Sequence, residues 1–149
     1  MLNLIKLLGR DQKFTEMVKK RSGVNWETAE DIEKRTLHLI KELDLEWLSY
    51  GRLFFYRSYG SKARAYARTW GLPRLWQRTL NVEPAYIIEI ISEHFDKLNQ
   101  RKKDEILLHE LSHIPKNFSG SLTPHTRSGH NNFKDKLRQM ITKLNELNF

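Results

Sequence analysis

The stretch Lys102-Lys103-Asp104-Glu105-Ile106-Leu107-Leu108-His109-Glu110-Leu111-Ser112-His113-Ile114-Pro115 decides how the rest of this chain is read. Leu107, Leu111 and Ile114 recur at offsets 0, 4 and 7, the spacing of one helix face. Pro115 discourages further helix. His109 and His113 stand on a different face. At about 100° per residue they lie roughly 40° apart on adjacent turns, so both imidazoles can reach one ion with Glu110 alongside. An H-E-x-x-H run on a helix that can bury its opposite face is a metal-site pattern: two ligands and a base.

Such a site is expected to hold zinc, because imidazole-rich sets commonly do, and a catalytic zinc takes three protein ligands and keeps one open position. The third ligand has to come from downstream, where His125 and His130 both follow Pro115 and a turn-rich loop. His130 is taken first, since Phe133 and Leu137 of the closing helix would fix its position. His125, in Leu122-Thr123-Pro124-His125, is the alternative ligand or an outer partner of the site, and spacing alone leaves both open. His38 and His94 read as structural histidines, and Met140 as part of an apolar stripe.

Outward from this helix the chain divides into recognisable pieces. Leu4, Leu7, Leu8, Phe14, Met17 and Val18 predict a short first helix closed by Ser22-Gly23. Asn25 or Thr28 would cap a second, with Ile32, Leu39, Ile40, Leu43 and Trp47 on one face, ending near Ser49 to Gly51. Arg52 to Tyr59, Tyr66 to Trp70, Arg74 to Leu80 and Ala85 to Ile91 are strand candidates, the last two joined as a hairpin through Asn81 to Pro84. Helix resumes near Ser92, breaks at Asn99-Gln100 and runs from about Lys102 to Ile114. A final helix from about His130 carries Phe133, Leu137, Met140, Ile141, Leu144 and Leu147 on one side. Residues 1–149 read as one domain, with a helical part at 1–49 and the sheet, motif helix and closing helix at 50–149.

The chain has no cysteine, which excludes disulfide scaffolds, thiol nucleophiles and cysteine-ligated metal. Its net charge of +8 is concentrated. From Trp47 to Val82 stand Arg52, Arg57, Lys62, Arg64, Arg68, Arg74 and Arg78 with no acidic residue, interleaved with nine of the sixteen aromatics. Arginines among aromatics suit single-stranded or duplex DNA, phosphates pairing with Arg52, Arg57, Arg64, Arg68, Arg74 and Arg78 while bases stack; a half-buried strand with arginines facing water has the same pattern. No run approaches the roughly 18 apolar residues of a membrane span, and the expected address is the cytoplasm.

The run Ile106 to Pro115, followed by Phe118-Ser119-Gly120 and Pro124-His125, resembles a family of small metallopeptidases found in archaea and phages. The element Gly129-His130-x-x-Phe133 is similar to the third-ligand region of SprT-like zinc proteases, with Asn131 where those sequences usually place Gly. The spacing is not that of metzincins, whose Gly and His would fall at Lys116 and Ser119. The resemblance covers roughly Arg64 to Leu147. It implies an α+β, zincin-like fold: a small twisted, mostly antiparallel sheet, the H-E-x-x-H helix beneath it, and flanking N- and C-terminal helices. It also implies a Zn2+-dependent metallopeptidase in which Glu110 is the general base toward a metal-activated water. A protein or peptide substrate, which could be DNA-associated, would pair along the Ala85 to Ile91 strand as a sheet edge. Tyr86, Arg127 and His125 are candidate transition-state stabilisers. The rival reading is a non-catalytic nucleic-acid-binding protein stapled by a structural zinc.

Overall fold

The computed structural model describes residues 23–49, 51–125 and 133–147. The first helix expected from Leu4 to Val18, Arg127 and His130 lie outside the described residues. Within them the chain forms four strands, β1 (Asn25–Thr28), β2 (Arg52–Tyr59), β3 (Ala67–Gly71) and β4 (Ala85–Ile91). It also forms six helices: α1 (Glu30–Glu42), α2 (Glu46–Ser49), α3 (Arg74–Leu80), α4 (Ser92–Phe95), α5 (Gln100–Ser112) and α6 (Phe133–Glu146).

Each half of α1 suits the helix dipole, with Glu30, Asp31 and Glu33 in the first turn and Lys41 in the last. Neither Asn25 nor Thr28 caps it. Both belong to β1, where Asn25 faces Tyr59 and Thr28 faces Tyr56, and the Ala29 N–H donates to the Phe55 carbonyl at 3.0 Å. Sheet pairing has claimed the segment that local propensity offered to the helix. The apolar face expected to continue to Ser49 is broken at Asp44, whose φ of +52° reverses the chain before α2.

The sheet order is β1-β2-β4-β3. The outer pairings are antiparallel, and the central one, β2 with β4, is parallel. The expected hairpin between Arg74–Leu80 and Ala85–Ile91 does not form, because Arg74–Leu80 is helix α3. Pro73 stands at its N-cap, where the missing N–H costs nothing, and Asn81 closes it in the left-handed region. No residue of α3 is buried. β4 is an interior strand with a partner on each side, which explains its nearly unbroken apolar sequence and corrects the reading of it as an edge.

The helices cover one face of this sheet. Phe55, Tyr86, Ile88, Ile90 and Ala67 meet Leu39, Leu107, Leu108, Leu111, Met140 and Leu144 in one buried cluster. The Asn99 side chain accepts from the Lys102 N–H at 2.9 Å and so starts α5 at the expected break. Asp104, fully buried in α5, takes two hydrogen bonds from Arg35 of α1 and one from Gln100. That forked pair fixes α5 against α1.

Backbone meets backbone where the 119–125 loop crosses the end of β3. A Cβ at Gly71 would lie 2.2 Å from the Gly120 carbonyl, and one at Gly120, which has φ +95°, would lie 2.2 Å from the Leu72 carbonyl. Tyr86 locks the same contact: its hydroxyl donates to the Ser121 carbonyl and accepts from the Gly120 N–H, both at 2.7 Å. Gly120→Ala is therefore expected to cost about 2–4 kcal/mol from backbone strain and overpacking, read as a lowered urea midpoint.

Candidate metal centre

The motif lies where local periodicity places it. His109 and Glu110 are in the last turn of α5, and His113 is its C-cap residue. The inward face, Leu107, Leu111 and Ile114, is fully buried. His109 and His113 are half-buried at the rim of an open cleft of about 780 Å³, walled by Ala65 to Thr69 on one side and by Leu137 and Ile141 on the other.

His109, His113 and His125 form the cluster, with one ring nitrogen from each within 4.8 Å of the others. The His125 Nε2 lies 3.1 Å from the His109 Nε2. His125, the alternative ligand of the sequence reading, is thus brought to the pair from the loop. The backbone explains how. The Thr123 N–H donates to the His113 carbonyl at 2.7 Å, and the Thr123 carbonyl lies 2.8 Å from His113 Nδ1. A carbonyl can only accept, so Nδ1 carries the proton and Nε2 keeps its lone pair for a metal. Lys136, buried in α6, donates to the Ile114 carbonyl at 3.0 Å and to Thr123 Oγ1 at 3.3 Å. Phe133 packs against all three imidazoles, with ring centroids 4.8, 4.6 and 4.6 Å from those of His109, His113 and His125.

The electrostatics agree with a ligand set. Burial, followed by the neighbouring His113 and His125, pulls the His109 pKa down to about 4. Burial also lowers His113 and His125. The imidazoles are neutral at pH 7, the form that binds metal. Three imidazoles from two turns of a helix and a braced loop fit a divalent ion, and among the described residues no fourth ligand joins them. Glu110 is almost wholly buried, and burial pushes its carboxyl pKa up, opposed by the Thr69 hydroxyl. That hydroxyl lies 2.6 Å from Glu110 Oε2 and 3.0 Å from the Glu110 carbonyl; with a single proton it donates to the closer carboxylate.

The remaining sequence candidates separate. Tyr86 is fully buried beneath the sheet, does not line the cleft, and has its hydroxyl committed to the 119–121 loop, so it braces that loop and cannot meet a substrate. The Arg57 guanidinium is held between Asp31 and Asp96. Arg68 pairs with Glu89, Arg52 reaches the Glu83 carbonyl, and Arg64, Arg74 and Arg78 are exposed. His94 contacts the Ala63 carbonyl at 3.2 Å, away from the cluster. Thr69, Thr123 and Lys136 carried no sequence signal, since each acts only through a neighbour remote in the chain.

A mixed α+β fold presenting a buried glutamate beside a metal-competent histidine cluster defines a candidate metal-dependent hydrolase. Residues 24–145 match the sequence model of the family described as "Putative phage metallopeptidase", and the chain belongs to that family. No curated protein and no solved structure matches it significantly.

Proposed function

We propose that this chain is a zinc-dependent peptidase of the H-E-x-x-H type, with His109, His113 and His125 holding the ion and Glu110 acting as general base. The observation that carries this reading is the convergence of three neutral imidazoles beside a buried carboxylate, in a cleft bordered by a sheet edge. Two nitrogens on one tetrahedral zinc at about 2.0–2.1 Å lie roughly 3.3 Å apart, close to the 3.1 Å between His125 and His109. When bound, zinc supplies a Lewis acid that polarises a carbonyl and lowers the pKa of coordinated water toward about 7.

The protein's own groups do the rest. Thr69 holds Glu110 Oε2, so Oε1 is the oxygen that takes a proton and later returns it to the leaving amine. Among the described residues β3 pairs only with β4. An extended peptide would add along its free edge, in place of the Ala85–Ile91 strand, and main-chain pairing would bring a carbonyl past the histidines. Three ligands with solvent access favour catalysis over a closed structural zinc. This arrangement is zincin-like, as the likeness to SprT-like proteases implies.

Metal analysis joined to activity tests the reading. The purified chain is expected to carry about one zinc, lose cleavage of an unfolded protein on chelation, and regain it on adding zinc. Activity that survives complete metal removal would refute the proposal.

A further inference from the structure

The face of the sheet opposite the helices is aromatic and uncovered by any described element. In register across it stand Phe54 of β2, Ile87 of β4 and Trp70 of β3. In the next row are Tyr56, Glu89 and Arg68, and Trp26 of β1 joins from the other edge. Trp26 and Trp70 are each 50% exposed, Phe54 43% and Ile87 37%. Large apolar groups adjacent in one patch, unlike scattered ones, mark an interaction surface.

Glu89 gives the patch its order. It is 1% exposed and plays no part in the metal cleft. Trp70 Nε1 donates to it at 2.7 Å, Trp26 Nε1 at 3.2 Å, and Arg68 through two nitrogens at 3.2 Å. Burial alone would raise its pKa, but these donations outweigh it and hold the carboxylate ionised. A buried anion thus pins two indoles from opposite edges of the sheet. Cations lie over the rings: the Arg68 guanidinium 5.1 Å from the Trp70 ring centroid, and that of Arg52 5.8 Å from Phe54. Among the described strand residues Glu89 is the only acidic one on this face, so what these strands offer solvent there is aromatic and cationic.

We propose that this open face binds single-stranded nucleic acid, with bases stacking on Trp70, Phe54 and Trp26 and phosphates meeting Arg52 and Arg68. Rigid ring planes on a four-stranded sheet accept unpaired bases of any sequence, whereas a duplex keeps its base faces stacked and out of reach. Its aromatic residues lie outside the metal cleft, whose wall the site meets only at Arg68, and binding does not depend on hydrolysis.

The test uses the full-length chain with metal removed, so that failure of the peptidase reading cannot affect it. Anisotropy of labelled dT15 and rU15 is followed against salt, beside a duplex of equal length and anionic phosphatidylserine vesicles. Binding to either single strand is expected, quenching tryptophan emission, with a log–log salt slope near −1.4 at about 0.7 per neutralised phosphate. The tighter of the two assigns DNA or RNA. Trp70→Ala and Phe54→Ala should each weaken binding at least fivefold. Phe54 carries no side-chain hydrogen bond, so its variant still reads the site if loss of the Trp70–Glu89 bond unfolds the chain. Leu37→Ala, an equally exposed apolar residue on α1, should change nothing. The proposal is overturned by no binding at low salt, by no salt slope, by tighter binding to duplex or vesicles, or by equal losses in the Phe54 and Leu37 variants.

Discussion

Glu110→Gln is expected to lower peptide-bond cleavage by about 10²- to 10⁴-fold, the usual worth of a positioned general base, while zinc content and thermal midpoint stay at wild-type values. The amide matches the carboxylate in size and keeps an oxygen that can accept from the Thr69 hydroxyl, now 2.6 Å from Oε2. It adds no bulk in a position that is 6% exposed. What it lacks is a site for the proton. Cleavage assays on an unfolded protein, paired with metal analysis of the same preparation, separate the two properties. Undiminished cleavage by the variant would remove Glu110 as the base; a loss of zinc together with activity would mean that it acts by holding the site.

The second large effect concerns the third ligand. His125→Ala is expected to weaken zinc binding by more than the roughly 10–100-fold that losing an outer partner costs, and to abolish activity at limiting zinc. Its ring nitrogen lies 3.1 Å from that of His109, and among the described residues only His109, His113 and His125 make up the cluster. His130→Ala serves as the comparison, because His130 stands outside the described residues. Competition with a chromophoric chelator measures both. If the His130 variant loses the metal and the His125 variant retains it, the ligand set is the one that spacing first suggested, and the braced loop has another purpose.

The motif helix was readable because everything it needs is local. Leu107, Leu111 and Ile114 share one face and His109 with His113 another, and both follow from 3.6 residues per turn. The stripe on α6 was legible for the same reason, with Phe133, Met140 and Leu144 buried as their spacing requires. Arg74–Leu80 was misread as strand: seven residues between Pro73 and Asn81 are too few for periodicity to distinguish an exposed helix from a strand. Asn25–Thr28 was misread as the start of a helix because its partner, β2, begins more than twenty residues later.

The sequence by itself determined that two imidazoles and a carboxylate share a helix end, that the opposite side of that helix is core, and that aromatic and cationic residues crowd the middle of the chain. Tertiary structure alone decided that, among the described residues, His125 joins the motif pair, that β3 has one strand partner, and which arginines are held in ion pairs. Side chains within one helical turn are placed by bond geometry. Bringing His125 home instead takes the glycine contact of Gly71 with Gly120, the pairing of Thr123 with His113 and the reach of Lys136 across to Ile114. Those contacts exist only once distant segments have packed.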